Sequence, residues 1–236
     1  MHETSQILAI ILVLLGVPES VAPSAAEGAA SVSHQSQTPL RLPAFNSIQV
    51  NSGHVTLRSA ATQRVTVLTG SLDYTRVSVT SGGVLVIDKC SVKCPRGYRL
   101  EVEVQAPSVS RISLANGGWV ESVGTFARQA DLATRVNHGG TIDVRAIAAD
   151  RVNAEVEQGG RILTAPRGSL FATVTQGGAI TYWGNPRVQE SVQHGGVVTR
   201  GNAEDLTVPL AELGSPVMSR LAPIHPPRRE SKKPRH

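Results

Sequence analysis

The chain has 236 residues, of which 40% are hydrophobic and only 3% are aromatic, and its formal net charge at pH 7 is +5. This length suffices for one domain with a buried core, and the scarcity of aromatic residues favours a β core of aliphatic and β-branched side chains over a globular α/β interior. Of the 23 bases and 18 acids, six bases and one acid lie after residue 214, which leaves 17 of each in the body. The body therefore carries no basic excess and no nucleic-acid motif, and nucleic acid is not an expected partner.

The first predicted element is an export signal. An apolar run over residues 7–17 has 11 residues, too few to cross a bilayer, and small residues up to Ala26 resemble a signal-peptidase site. The first residues contain Glu3 and no Lys or Arg, so a buried strand or helix of the mature protein is the alternative. We expect residues 1–26 to be a signal peptide and residues 27–42 a flexible linker. The mature protein is then expected to be soluble and either periplasmic or secreted to the cell surface.

The two cysteines lie close together between two predicted strands. Cys90 and Cys94 are separated by three residues, after an apolar strand over residues 84–88 and before a strand that begins near Tyr98. An even number of cysteines in an exported chain predicts a disulfide. A metal site would need further ligands nearby, and a redox pair is more often C-x-x-C, so we expect Cys90 and Cys94 to form a structural disulfide.

Five Gly-Gly pairs recur at intervals of 22, 20, 18 and 18 residues. They are Gly117-Gly118, Gly139-Gly140, Gly159-Gly160, Gly177-Gly178 and Gly195-Gly196. Three positions before each pair stand Leu114, Val136, Val156, Val174 and Val192, and two positions after it stand Val120, Ile142, Ile162, Ile180 and Val198. This alternation is typical of half-buried strands, and the period is typical of a solenoid. The pattern predicts an all-β fold, a single-stranded parallel β-helix (β-solenoid) with coils of about 18–22 residues.

A column of polar residues precedes the glycine pairs. Its members are Asn116, His138, Gln158, Gln176 and His194. We expect a corner ladder in which glycine permits positive φ and close backbone approach. The alternative is a ligand or metal groove that includes His138 and His194. Three coils separate these two histidines, or about 14 Å at about 4.8 Å per coil, so they cannot share one metal ion.

Three stretches of the sequence resemble the head GIN domain family, which is also described as an autotransporter adhesin family. They are Phe45 to Leu57, Leu100 to Val109, and the most specific one, Ile180-Thr181-Tyr182-Trp183-Gly184-Asn185-Pro186-Arg187-Val188. The resemblance extends from about residue 43 to residue 201, and we place the domain at residues 43–208. It implies a parallel β-helix in an exported, envelope-associated protein. The family's corners carry G-S-G or G-A-G, whereas here Asn, His or Gln replaces the first glycine, and no functional residue is carried over.

Parallel β-helices include polysaccharide lyases and hydrolases, which need clustered carboxylates or Ca²⁺-binding acids. Here only Glu121 and Asp143 occupy equivalent positions in adjacent coils, and solvation is the simpler role for both. No nucleophile elbow, zinc-protease or phosphate-loop motif is present in the sequence. We therefore expect a protein without catalytic activity, cofactor or metal, with a carbohydrate-active enzyme as the alternative.

The remaining features suggest what the protein contacts. Trp119, Tyr182 and Trp183 are the candidate glycan contacts, because exposed aromatic rings on a β face can stack on sugars; packing inside the fold is their alternative. Residues 209–236 form a Pro-rich basic segment, predicted to be disordered, that would either contact an anionic envelope component or only aid solubility. The expected function is adhesion, glycan contact or envelope structure. A regulatory or sensory envelope domain is a further alternative.

Overall fold

The computed structural model describes residue 37 and residues 39–90 and 93–207. The predicted signal peptide at 1–26 and the predicted basic tail at 209–236 lie outside the described residues. Within the described part of the chain, no helix is long or apolar enough to cross a membrane.

The described residues form 17 β-strands and one short 3-10 helix. The strands are β1 Pro39–Leu40, β2 Ser47–Val50, β3 His54–Ser59, β4 Arg64–Thr69, β5 Arg76–Val79, β6 Val84–Asp88, β7 Glu101–Ala106, β8 Arg111–Leu114, β9 Trp119–Val123, β10 Gln129–Val136, β11 Thr141–Asp143, β12 Ala149–Gln158, β13 Arg161–Thr164, β14 Ser169–Gln176, β15 Ala179–Tyr182, β16 Arg187–Val192 and β17 Val197–Arg200. The 3-10 helix is Ala203–Thr207. The all-β part of the predicted fold class is confirmed.

The strands form two mixed sheets, and neither closes into a barrel. The nine-stranded sheet has the order β1-β4-β7-β3-β9-β11-β13-β15-β17, and the eight-stranded sheet has the order β16-β14-β12-β10-β8-β2-β6-β5. From β6 onward the chain alternates between the sheets, so that each layer consists of one strand from each sheet. From β8 onward each strand also pairs in parallel with the strand two places later in the chain.

The apolar positions that flank the glycine pairs are register partners in successive layers. On the nine-stranded sheet the partners are Val120, Ile142, Ile162, Ile180 and Val198. On the eight-stranded sheet they are Leu114, Val136, Val156, Val174 and Val192. The first four members of each set are at most 1% exposed, whereas Val192 in the last layer is 42% exposed. These two apolar columns are part of the core between the sheets, and burial decreases in the last layer, β16 and β17.

The second glycine of each pair is required by close contact between layers. Thr141 donates its backbone N–H to the carbonyl of Gly118 at 3.0 Å, and Arg161 donates to the carbonyl of Gly140 at 2.8 Å. A Cβ atom on Gly140 would lie 2.8 Å from the Gly118 carbonyl oxygen, and φ at Gly140 is +97°. An L-residue is disfavoured here both by its backbone conformation and by the space available.

The N-terminal strands do not follow the order of the sequence. β2 lies between β6 and β8, and β3 lies between β7 and β9, so β2 and β3 form an interior layer although they precede β4 to β9 in the chain. The chain then forms β4 and β5, which pair antiparallel at the outer edge of β7 and β6. The expectation of parallel pairing throughout is wrong at this end. The connections at 60–63 and 80–83 are four residues each, long enough to reverse the chain but too short for a parallel crossover.

Two further predictions concern this end of the molecule. The Cys90–Cys94 disulfide is confirmed, with 5.6 Å between the Cα atoms, in the connection between β6 and β7. The predicted linker over 27–42 is wrong in its last residues, because Pro39 and Leu40 form β1 and pair with β4. Two short stretches of backbone can pair in this way wherever an edge strand is open, and the sequence pattern carries no signal for it.

Candidate ligand-binding face

Trp183 is part of the packing of the molecule and offers no ring face to a ligand. It is 3% exposed and packs on Leu163, and the Arg145 guanidinium lies 5.2 Å from its ring centroid. Its Nε1 donates a hydrogen bond to the Asn202 carbonyl at 2.7 Å. Tyr182 is half-buried and packs against the core. Of the three candidate glycan contacts, Trp183 and Tyr182 therefore fit the alternative interpretation, in which the side chain packs inside the fold.

Trp119 has the surface position expected of a sugar contact. It is the first residue of β9 and is 37% exposed. Its register partners on the two sides are His54 in β3 and Thr141 in β11. The His54 and Trp119 rings form an edge-to-face pair, with 5.9 Å between centroids and an interplanar angle of 73°. Because Val120 is buried, alternation places Trp119 on the outer side of the nine-stranded sheet.

Polar side chains surround this ring on the outer side of the sheet. Glu121 accepts a hydrogen bond from Oγ1 of Thr56 at 3.3 Å, and its Oε1 lies 3.3 Å from Nε2 of His54. In the adjacent row, Glu103 accepts from Gln105 at 2.7 Å and from Arg58 at 3.1 Å. The hydrogen bond from Gln105 and the contact with Arg58 hold the pKa of Glu103 below its ordinary value, so Glu103 is ionised at neutral pH. We call the surface formed by these residues the Trp119 face: His54, Thr56, Arg58, Glu101, Glu103, Gln105, Trp119, Glu121 and Thr141.

The Trp119 face combines one aromatic ring with several fixed, planar hydrogen-bonding groups. An aromatic ring packs on the apolar C–H face of a sugar, and carboxylate, amide and guanidinium groups hydrogen-bond its hydroxyls. The polar groups hold one another in place, which reduces the entropy lost when a ligand binds. Sequence reasoning identified Trp119 and missed His54, Thr56 and Arg58, because β3 becomes a neighbour of β9 only in three dimensions.

The carboxylate pair considered for catalysis is divided between two environments. Glu121 and Asp143 are register partners on β9 and β11, as their spacing predicted. Asp143 is only 5% exposed, and both of its oxygens accept hydrogen bonds from Arg145, the shortest at 2.6 Å. Glu121 instead contacts His54 and Thr56. Arg145 therefore neutralises Asp143, which is buried on the same side of the sheet as Glu121, and Glu121 is the member of the pair that belongs to the Trp119 face.

The five predicted corner residues Asn116, His138, Gln158, Gln176 and His194 are all exposed, and Gln158 and Gln176 are register partners. Only His138 and His194 among them adopt positive φ, at 37° and 51°. At the other corners the following glycines make the left-handed turn, so glutamine fits there without strain. Within the described residues, no group of three or more His, Cys, Asp or Glu side chains could hold a metal ion.

An additional corner lies in the layer of β2 and β3. Asn116 donates its N–H to the Asn51 carbonyl at 3.0 Å, and Trp119 donates to the Gly53 carbonyl at 2.8 Å. The glycine-pair pattern missed this corner because it contains a single glycine, and because its neighbour in space is about 65 residues away in the chain.

The fold and this face define an all-β protein of two mixed sheets with a broad polar surface on the outer side of one of them. The chain belongs to the family described as "Putative auto-transporter adhesin, head GIN domain", whose profile matches residues 44–165 and 128–186. These matches together span more than half of the chain.

Fourteen chains of solved structures also match. They include a "putative adhesin" from Bacteroides fragilis, with 16% identity, a TM-score of 0.45 and coverage of 70% of this chain and 94% of the other. A "putative cell adhesion protein" from Clostridium sporogenes has 12% identity, a TM-score of 0.39 and coverage of 70% and 98%. A "putative adhesin" from Parabacteroides merdae has 14% identity, a TM-score of 0.32 and coverage of 71% and 96%. A comparison with curated proteins gave no match.

Proposed function

We propose that this chain is an exported, non-catalytic binding protein of the cell envelope, built as a parallel β-helix, that contacts a surface glycan through the Trp119 face. The observation that carries the proposal is the exposed Trp119 ring with His54, Thr56 and Glu121 fixed beside it. Membership of a family described as adhesins supports binding as the role.

The β-helix architecture is supported by the register of the strands. Each layer from β8 onward contributes one strand to each sheet, and equivalent residues are partners in successive layers. Such an arrangement presents similar positions at regular spacings of about 4.8 Å along both outer faces. A repeating polymer, such as a polysaccharide, can contact a surface of this kind at more than one layer.

Export is supported by two independent features. The apolar run over residues 7–17 has the length of a signal-peptide core. The Cys90–Cys94 disulfide is of a kind that persists outside the reducing cytosol. The protein then functions in the periplasm or at the cell surface, and the basic segment over residues 209–236 would strengthen its association with anionic envelope components.

The absence of catalysis is proposed from the state of the carboxylates on the Trp119 face. A general acid in glycoside cleavage needs a raised pKa, whereas the pKa of Glu103 is lowered. Glu121 is engaged by Thr56 and His54, and Asp143 is buried against Arg145. These contacts suit the holding of a ligand rather than proton transfer to one.

The test is a glycan-array and lipopolysaccharide binding screen of the wild-type protein, followed by the Trp119→Ala variant on each ligand found. We expect this variant to lose about tenfold in affinity, the usual cost of removing a central aromatic contact. Phe171→Ala is the matched control, because Phe171 is 39% exposed on the eight-stranded sheet. Equal binding by Trp119→Ala and wild type would contradict the proposal. Release of shortened glycans during the assay would instead support the enzyme alternative.

A further inference from the structure

The two ends of the stacked layers are closed differently. At one end the last parallel strands, β6 and β7, are followed in their sheets by β5 and by β4 and β1, which run antiparallel. At the other end the sheets finish with β16 and β17, which have no further strand beside them among the described residues. The outer backbone N–H and C=O groups of β16 and β17 are therefore available for pairing.

The last layer also leaves apolar side chains in solvent. Val188 and Val192 in β16 are register partners of Leu170 and Val174, which are fully buried. They continue the core columns, yet they are 37% and 42% exposed. Removal of apolar side chains such as these valines from water is favourable.

Residues 202–206, which follow β17, turn away from this open end. Trp183 holds the Asn202 carbonyl, and Nη1 of Arg145 donates to the carbonyls of Asp205 and Leu206. Arg145 follows β11, which is three strands from β17 in the nine-stranded sheet. Residues 202–206 thus run back along the sheet, and they leave β16 and β17 uncovered.

We propose that a second copy of this chain covers the open end, in a two-fold dimer that joins β16 to β16 and β17 to β17. A two-fold axis perpendicular to the plane of the sheets reverses the strand direction. It brings the open edge of one copy against the open edge of the other. It leaves each sheet in its own plane, so β16 acquires an antiparallel partner along its length, and β17 meets its counterpart at its C-terminal end. The interface is isologous and occupies the β16 and β17 end of both copies, so assembly through it stops at two copies.

The side chains select a register for this pairing. When Val188 lies opposite Val192 of the second copy, the axis passes through Glu190 and the two valine pairs become the apolar part of the interface. Glu190 occupies a core position, because its register partner is the buried Ala172. Arg200 is the corresponding residue of β17, and both lie five residues from Gly195. Two Glu190 and two Arg200 side chains then meet near the axis, with a net charge of zero.

The dimer has a consequence for binding that rests on the proposed function. Since the axis is normal to the sheets, both nine-stranded sheets face the same side, and so do the two Trp119 faces. A polymer or a surface can engage both faces at once, which raises its apparent affinity without any new contact.

The first test is the mass of the full-length exported protein by light scattering and sedimentation over a wide range of concentrations. We expect a dimer, and we expect Val188→Lys with Val192→Lys to give monomers. Both valines are exposed, so these changes spare the core. Gln189→Glu with Ser191→Lys is the matched control, because these residues of the same strand are register partners of the outward-facing Phe171 and Thr173 and would lie opposite each other in the dimer with opposite charges; it is expected to remain dimeric. A wild-type monomer would overturn the proposal and identify Glu190 and Arg200 as a polar cap.

The second test locates the axis. In an antiparallel pair, directly opposite Cα atoms are about 4.5–5.5 Å apart, a distance that a disulfide spans. Glu190→Cys should therefore cross-link to Glu190→Cys of the second copy under mild oxidation, whereas Gln189→Cys should not. Equal cross-linking of the two variants would rule out this register. Failure of this test leaves glycan binding by Trp119 intact, and a dimer that binds no glycan leaves this interface intact.

Discussion

The N-terminal region, β1 to β7, and the C-terminal region, β8 to β17, build the same two sheets in different ways. In the C-terminal region each layer follows its spatial neighbour in the chain, and a glycine pair marks the corner from each strand of the eight-stranded sheet to the next strand of the nine-stranded sheet. In the N-terminal region β2 and β3 form an interior layer, and the chain returns later to form the layer outside them. Nearest-neighbour stacking thus needs only local contacts, whereas closure of an end requires pairing between strands far apart in the chain.

The two regions also fill their cores differently. One column of register partners on the eight-stranded sheet consists of Leu85, Ile48, Ile112, Thr134, Ala154 and Ala172, all nearly fully buried. Its N-terminal members are large and aliphatic, and its C-terminal members are small. The column changes between β8 and β10, one strand beyond the pairing of β2 with β8 where the two regions meet, so substitutions in β8 test whether the regions are one cooperative unit.

The largest expected effect comes from Ile112→Ala at that boundary. Ile112 in β8 pairs with Ile48 on one side and with Thr134 on the other, and it is fully buried. Its truncation should lower the free energy of unfolding by about 2–5 kcal/mol, from lost burial and a residual cavity. Chemical denaturation is the measurement, with Ser113→Ala as the outward-facing control. A single shifted transition indicates one cooperative unit; separate transitions would divide the molecule at β8.

The same boundary separates what could be predicted from the sequence from what could not. The glycine pairs and their flanking apolar residues predicted the register of β8 to β17, because each corner there recurs within 18 to 22 residues. The pairing of β2 with β8 joins residues such as Ile48 and Ile112, and no periodic signal connects them. The family resemblance around residue 100 indicated the strand β7, but it did not indicate that β7 would lie beside β3.

The candidate site divides in a similar way. The sequence identified Trp119 and Trp183 as equivalent candidates, since both are aromatic residues beside glycines on a predicted β face. Burial of Trp183 depends on Arg145 and on the carbonyl of Asn202, which approach it only after the chain turns back from β17. His54 reaches Trp119 through the non-sequential neighbour β3. Local pattern therefore identified the residue types, and long-range topology decided which of them are accessible.

Removal of the disulfide should be the next largest effect, and it tests the N-terminal region alone. Cys90→Ser with Cys94→Ser opens the connection between β6 and β7. For so short a loop the chain-entropy relation gives about 2 kcal/mol of lost stability. Hydrogen exchange should show faster opening of β4 to β7 and unchanged protection of β12 to β14. Equal loss of protection in both regions would mean that the N-terminal closure supports the entire stack.

We expect substitution of the first and of the second glycine of a pair to destabilise the protein by different amounts. Gly117 and Gly118 both have positive φ, at +68° and +101°, so alanine is strained at either position. A Cβ on Gly117 meets nothing within 4 Å, whereas one on Gly118 would lie 2.3 Å from the Gly53 carbonyl oxygen. We expect Gly118→Ala to destabilise by at least about 1 kcal/mol more than Gly117→Ala in thermal denaturation. Equal effects would show that the layers of β3 and β9 can move apart at little cost.

The smallest expected effect concerns Glu103, whose pKa is lowered by Gln105 and Arg58 from an ordinary value of 4.5. A carboxylate with a lowered pKa in the folded state contributes stability above its unfolded pKa, and this contribution is lost as the pH falls through the folded value. Glu103→Gln should therefore cost less than about 1 kcal/mol at pH 7, because the side chain is partly exposed. The difference from wild type should shrink as the pH falls below 4.5.

Thermal denaturation between pH 3 and pH 7 measures this difference in stability. Asp131→Asn is the counterpart in the C-terminal region, since Arg151 lowers the pKa of Asp131. A difference that stays constant over this range would mean that the neutral amide, not the loss of charge, accounts for the effect.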